Sequence, residues 1–513
     1  MPPGRQRVPL SVPLAVPLAV AVAGLLLAGG CADSSKAEKS DPPKVKGDAT
    51  TPAPRPQVAQ TGGAYGREGW FGGGLHARVQ IRGVERQPGK AVLRYTVTSL
   101  DTAARSAPFG VRLLDPVGRR LYRQTAQAGT AEQFQPGAAR ELTAEFPPLP
   151  AGIDKITVLT PGTAGEFTGI PVTGTGDAPA SSSGSGTGTG SGTGTGTGTD
   201  AGANPAELYD ITEGEIKDVT SSGSDVKVNL RTDVLFAVDS AKLSSRAKAV
   251  LDDAATEIKQ KADPAKGPLT FDGHTDSKGS DSYNLKLSRD RAEAVMKEMK
   301  TRLGDAYKYS AHGKGEAELI AKEGGADDAK ARARNRRVEI SYQVRQQTSG
   351  TSGSSTAAAG GRGGTAAPAP FRAQDGTTVA SRFGRFGADK RRLDVKPFYR
   401  DGAYIVAVFE IVDEGPGTLP ANADYPHKDY PGGVFTSFSI LAPGGTDVFR
   451  AVRVGTPDGQ GDAAYVDTGG AAYRTAVNEP VRGFAYMPAP PGNVTSVVFD
   501  GGPFGKVNSV PVS

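Results

Sequence analysis

Asp276 and Arg291 are the acid and base best placed to do chemistry. Asp276 closes the run Gly273-His274-Thr275-Asp276, and Arg291 follows Leu287-Ser288 just ahead of Ala292. Asp276 falls in a turn between a short apolar strand and a helix, with Arg291 about two turns inside that helix. A carboxylate at the mouth and a guanidinium on the helix wall can then face one small pocket. A ligand carrying an ammonium and a carboxylate on one carbon fits such a pair. Asp276 would take the ammonium and Arg291 would fork onto the carboxylate, at about 1.5–3 kcal/mol per charge-assisted bond. Asn284, seven residues before Arg291, lies on nearly the same helix face, while Tyr283 and Leu287 are assigned to the apolar stripe. Helix-start amides near Ser280 to Ser282 offer further anion contacts. The same spacing also allows Asp276 and Arg291 to pair with each other or with their neighbours.

The elements that must position these residues are written in the apolar periodicity. Val226, Val228 and Leu230 alternate as a strand. Leu243, Ala247, Val250, Leu251, Ala254 and Ile258 keep a helical stripe, with Ser240 available as its N-cap. Leu269 and Phe271 form a second strand, and Tyr283, Leu287, Ala294, Val295, Met299 and Leu303 outline a second helix. Tyr309 and Ala311 begin a third strand, and Val338, Ile340, Tyr342 and Val344 alternate through a last one. Strands alternating with helices predict a layered α/β sheet with two helices on one face.

This middle unit is a minor part of a chain of 513 residues, too long for one core. The 69 glycines and 38 prolines are clustered, which divides the chain into folded units and linkers. The divisions are an export signal over 1–31, a polar tether over 32–65, a folded unit over 66–172 and a Ser/Thr/Gly linker over 173–205. The middle unit follows over 206–345, then a second linker over 346–375 and a last folded unit over 376–513. The outer units align without a gap at an offset of 340, pairing Val158 with Val498, Gly162 with Gly502, Gly165 with Gly505 and Pro171-Val172 with Pro511-Val512. Period-two alternation and frequent Gly/Pro turns predict that both are all-β sandwiches related by duplication. The fold class is therefore α+β, a central α/β unit flanked by two β-sandwiches.

The N-terminus carries Arg5 and Arg7, an apolar run from Val8 to Ala28, and small residues before Cys31. That pattern describes an export signal. Cysteine directly after small residues resembles the bacterial lipobox, in which the thiol receives a diacylglyceryl group, so Cys31 is the expected lipidation site. Ala28 stands where Leu is usual. A single cysteine excludes an internal disulfide, and four scattered histidines lack zinc-ligand spacing, so no metal and no cofactor are expected. The net charge of +5 is spread evenly, which argues against nucleic acid.

Leu235-Phe236-Ala237-Val238-Asp239-Ser240, Gly273-His274-Thr275-Asp276, Tyr283-Asn284 with Leu287-Ser288 and Arg291-Ala292, Gly313-Lys314-Gly315-Glu316 and Asn335-Arg336-Arg337-Val338-Glu339 recur in the order and spacing of a known family. Together they resemble the OmpA-like peptidoglycan-binding domain, over Val226 to Val344. The resemblance implies a βαβαββ sandwich that grips the diaminopimelate residue of peptidoglycan stem peptides. It implies that Asp276 and Arg291 hold that residue, with Phe236, Asp239, Asn284 and Arg336 at or near the pocket rim. His274 is expected to shape the turn rather than meet ligand. The sequence departs from the family after Glu316, where Ala317-Glu318-Leu319-Ile320 replaces the usual Pro-Ile, so the resemblance does not carry the outer wall.

The expectation is a lipoprotein anchored in a membrane and bound without covalent linkage to the wall, tethering envelope to peptidoglycan. Ala/Gly-rich usage points to an actinobacterium, with the anchor on the outer face of the cytoplasmic membrane. A Gram-negative outer membrane is the other location considered. The alternative function is an envelope scaffold or sensor, in which the duplicated β units bind a protein partner and the middle unit localises them. No catalytic signature is present, so an enzyme is not expected.

Overall fold

The computed structural model describes residues 65–125, 131–175, 205–325, 328–345, 365–416, 424–457, 463–469 and 477–513. The export signal, Cys31, the tether and most of both linkers lie outside the described residues.

The middle segment contains β1 (Ala206–Glu213), β2 (Lys217–Ser221), β3 (Asp225–Arg231), α1 (Thr232–Leu235) and α2 (Ala247–Lys261). It continues through β4 (Pro268–His274), α3 (Asp281–Leu303), β5 (Lys308–Gly315), α4 (Asp328–Asn335) and β6 (Arg337–Gln343). The sheet runs β1-β2-β3-β6-β4-β5, antiparallel except for β4 beside β5. A parallel pair needs a crossover, and α3 supplies it. Leu251, Ala255 and Ile258 of α2 and Ala292, Val295 and Met299 of α3 share one core with Val228, Leu230, Phe271, Val338 and Ile340 of the sheet.

Three details differ from the sequence expectation. The βαβαββ order gains two leading strands, the one-turn α1 and the short α4 before β6. The strands were hidden because neither β1 nor β2 carries a clean apolar face, and α4 because it buries only Ala331, Arg334 and Asn335. Ser240 does not cap α2; the helix starts at Ala247, whose amide donates to the Ser244 hydroxyl at 3.2 Å. Along α3 the buried stripe is Asn284, Ser288, Arg291, Ala292, Val295, Met299 and Leu303, while Tyr283 is 48% exposed.

The stripe turns polar at the N-terminal half of α3 because the helix there meets backbone. A Cβ added at Gly273 would lie 1.9 Å from the Ser288 carbonyl oxygen, and one at Gly313 would lie 2.5 Å from the Leu285 carbonyl. Glycine at both positions lets β4 and β5 approach α3 at backbone distance. The Ser288 hydroxyl seals the contact, accepting from the Gly315 amide at 3.0 Å.

Each flanking segment has two antiparallel arrays. In the first, Tyr65–Phe71, Leu75–Gln87, Lys90–Ser99 and Ala139–Phe146 pair in that order. Arg120–Arg123, Arg112–Asp115, Lys155–Leu159 and Glu166–Thr173 form the second array. The last segment repeats this order. Ala380–Phe386, Asp389–Val395, Tyr404–Asp413 and Pro480–Pro488 pair in one array. Val448–Arg450, Ser439–Leu441, Ser496–Asp500 and Lys506–Pro511 pair in the other. Each segment encloses its own apolar cluster. The final hairpins are irregular at equivalent places, with Gly169 at φ 65° and Ser509 at φ 57°, positions 340 apart.

β1 touches all three segments. Ala206 and Glu207 pair with Leu121 and Arg120 of the first, and Leu208 and Tyr209 with Val454 and Arg453 of the last. Thr212 and Glu213 then pair with Phe449 and Val448. Part of the second expected linker is also packed: Phe371 stacks on Phe167, and Asp401 accepts from the Ala369 amide at 2.8 Å. Its low-complexity composition concealed those anchors, so the last segment's packed chain begins earlier than position 376.

The Gly273 contact yields a direct expectation. Gly273→Ala destabilises the chain by about 3 kcal/mol, because a methyl meets immovable backbone. Gly223→Ala, where a Cβ meets nothing within 4 Å, changes stability little. Thermal melts of the two variants, run side by side, check this.

Candidate functional site

The site forms where β4 ends, α3 begins and the α1–α2 loop passes over them. Ser280 is the N-cap of α3, its hydroxyl accepting from the Tyr283 amide at 3.4 Å. That bond occupies one of the helix-start amides the sequence had offered to an anion. Asp276, 8% exposed, accepts from the Lys278 amide through Oδ1 at 3.1 Å and from Arg336 Nη1 through Oδ2 at 2.7 Å. Arg336 also forks onto Asp233, with Nε to Oδ1 at 3.0 Å and Nη2 to Oδ2 at 2.6 Å. The hydrogen bonds to Asp233 and Asp276 hold Arg336 firmly protonated, well above an ordinary arginine.

Arg291 is 5% exposed and lies with its guanidinium carbon 5.5 Å from the centre of the Phe236 ring. Its Nε donates to the Ser240 carbonyl at 3.0 Å. Among the described residues it makes no ion pair within 4 Å, so the guanidinium is buried and oriented without a carboxylate against it. Burial lowers its proton affinity; Asp239 and Asp233 act in the opposite direction and Arg336 reinforces burial. Asp239 itself is exposed, on a left-handed backbone turn at φ 51°.

Asn284 is buried and donates to the Lys278 carbonyl at 3.0 Å and to Glu316 Oε2 at 2.8 Å. It therefore fixes the turn that carries Asp276. Asp276 and Arg291 are not paired with each other. Asp233 links them instead, as partner of Arg336 and as one of the charges acting on Arg291. Asp233 had no sequence signal, and Glu316 stood only within the Gly313-Lys314-Gly315-Glu316 motif with no role assigned, because each works through a contact distant in the chain.

The outer wall is built on Asn335. Its Oδ1 accepts from the Ile320 and Ala321 amides at 2.9 Å each, and its Nδ2 donates to the Ala321 carbonyl and to Glu323 Oε1. Glu323 in turn accepts from the Ser277 hydroxyl at 2.6 Å, next to Asp276. His274 stands behind the site, 1% exposed, and faces away from solvent. Arg337, beneath it, donates to Asn229 Oδ1 at 3.1 Å and to the Glu318 carbonyl at 3.1 Å, while Glu339 pairs with Lys227.

Comparisons with known proteins fall on the middle segment. The model of the OmpA family matches residues 235–336. Outer membrane protein A of Serratia marcescens is 35% identical over 122 residues, 22% of this chain and 34% of that protein. The "Probable lipoprotein YiaD" of Escherichia coli is 33% identical over 135 residues, 26% of this chain and 59% of that protein. The peptidoglycan-associated lipoprotein from Burkholderia pseudomallei, a solved structure, is 30% identical. That match covers 21% of this chain and 88% of that one, at a TM-score of 0.18. The chain thus spans from a third to three-fifths of the length of these curated relatives. Its middle segment is a member of the OmpA-like peptidoglycan-binding domain family, one of binding rather than catalytic domains. Among the described residues no helix is long and apolar enough to cross a membrane, and no cluster of metal-ligating side chains occurs.

The buried histidine gives a pH signature. Burial first, and the Arg337 guanidinium second, push His274 down to about 3. An unfolded histidine titrates near about 6.5, so the unfolded chain binds the extra proton between those values. Stability from this group is complete above pH about 6.5 and falls as pH drops toward 3, with a slope approaching about 1.4 kcal/mol per pH unit. His274→Asn removes that slope, whatever it does to stability at neutral pH. Denaturation of both proteins at pH 7, 6, 5 and 4 measures the difference.

Proposed function

We propose that this protein is a membrane-anchored lipoprotein that binds the diaminopimelate residue of peptidoglycan without covalent linkage, holding the envelope to the wall. The observation that carries this reading is Arg291: a buried guanidinium, stacked on Phe236 and fixed by the Ser240 carbonyl, with no carboxylate partner among the described residues. A ligand carboxylate supplies that partner. Asp276, already oriented by Lys278 and Arg336, takes the ligand ammonium, so one carbon bearing both groups spans the site. Phe236 walls the guanidinium, Asn284 holds the Asp276 turn, Arg336 sets the carboxylate, and the exposed Asp239 forms the rim.

Cys31 is the lipidation site, and the segment after it is the tether. An anchored chain facing a polymer with many copies of its ligand works at modest single-site affinity, because tethering raises the effective concentration. The flanking segments are β-sandwiches from one duplication. Their shared strand order and the matching left-handed residues at 169 and 509 support that origin. The location is the outer face of a cytoplasmic membrane, facing the wall.

Co-sedimentation of the full chain with purified diaminopimelate-type sacculi tests the binding. Wild type pellets with the sacculi. Asp276→Ala and Arg291→Ala each weaken binding at least tenfold, since each removes a charge-assisted contact of about 1.5–3 kcal/mol. Wild type remaining in the supernatant, or both variants pelleting equally well, contradicts the proposal. Separately, Cys31→Ser shifts the protein from the membrane fraction to the soluble exported fraction in labelled cells.

A further inference from the structure

The outer wall of the site is not held by the middle segment alone. Asp429, in the last segment, accepts through Oδ1 from the Lys322 backbone amide at 3.0 Å and through Oδ2 from Arg334 Nη1 at 2.8 Å. Its side chain is 3% exposed and that of Arg334 7%. Lys322 and Arg334 stand near the two ends of the stretch that carries α4, so one carboxylate closes that stretch like a clasp.

Both limbs of the clasp lead to Asp276. Lys322 is followed by Glu323, which holds Ser277 next to Asp276. Arg334 is followed by Asn335, which gathers Ile320 and Ala321, and then by Arg336, the direct partner of Asp276. A second group secures Arg334 from the same side: Tyr430 Oη lies 2.9 Å from Nη2, and Glu213 pairs with both Arg334 and Arg450. Burial alone would raise the Glu213 carboxyl, but Arg450 and Arg334 outweigh it and hold the group down at about 2, so Glu213 is charged at neutral pH.

We infer that Asp429 of the last segment is a positioning residue for the ligand site in the middle segment, tuning its affinity by ordering the outer wall. This rests on the diaminopimelate reading above. Asp429 meets no ligand itself. It raises the fraction of molecules whose wall is already in the binding arrangement, and apparent affinity scales with that fraction. Losing the clasp so that the arranged fraction falls to roughly 0.1–0.2 weakens binding about five- to tenfold.

The experiment is calorimetric titration of the full chain with a soluble diaminopimelate-containing muropeptide. Asp429→Asn, which keeps the shape but removes the charge facing Arg334, weakens binding about five- to tenfold. Asp429→Glu restores part of the loss. Arg453→Gln removes a different contact of the last segment with the middle one, over the Tyr209 ring, without touching Asp429, Arg334 or Lys322, and binds like wild type. Asp429→Asn binding like wild type, or Arg453→Gln losing as much as Asp429→Asn, overturns the inference. Wild type that fails to bind overturns the diaminopimelate reading and this inference with it, a result distinct from the other two.

Amide exchange on the unaltered protein gives a readout independent of whether the variants fold. Muropeptide slows exchange at Lys322, since linkage between wall order and ligand is reciprocal. Unchanged Lys322 exchange with ligand bound contradicts the inference.

Discussion

The close approach of α3 to the β4–β5 pair is the constraint on which the site depends. Two glycines, Gly273 and Gly313, let helix backbone and strand backbone meet without side chains between them. That contact fixes where α3 begins relative to the end of β4, and hence the distance from the Asp276 turn to the Arg291 wall. It also explains why the buried face of α3 reads Asn284, Ser288, Arg291 at its start and becomes apolar only from Ala292 onward. Polar side chains occupy that half because backbone groups and a charged pocket are what they face.

Charge is then distributed unevenly by design of the packing. Asp276 is neutralised by Arg336, which Asp233 also holds, so the carboxylate is oriented rather than buried alone. Among the described residues Arg291 receives a ring face and a carbonyl but no counter-ion. A buried cation without a partner is costly, and the surrounding fold must pay that cost. On the proposed reading, the same asymmetry makes Arg291 the place where a ligand carboxylate gains most. The outer wall belongs to this arrangement through Asn335 and Glu323, and through a carboxylate that arrives from another part of the chain.

Much of this was legible in the sequence, for physical reasons that can be named. The helices with period 3.6 and the strands with period two announced the sheet of the middle segment, whereas the spaced motifs only nominated Asp276, Arg291, Asn284, Phe236, Asp239 and Arg336, whose role remains a proposal. Tyr283 was misread because an aromatic on an apparent stripe looks like core, whereas the actual stripe begins with Asn284 and Ser288. The role of β1 was invisible: its partners lie in three segments, and no local pattern encodes pairing at that distance. Asp233 and Asp429 were missed for the same reason, since a single carboxylate gains meaning only from what the fold brings to it. The stretch around Ala369 and Phe371 shows the converse case, low-complexity composition hiding anchors that a neighbouring surface captures.

The central claim is that Arg291 receives a carboxylate carried on the same carbon as the ammonium held by Asp276. Its most direct test compares two muropeptides identical except at one residue, one bearing diaminopimelate and the other lysine, which keeps the ammonium but lacks the second carboxylate. Titrated against the full chain, the diaminopimelate form binds at least tenfold more tightly, as expected for one charge-assisted contact. Equal affinity for the two would show that Arg291 does not read that carboxylate, and would contradict the account.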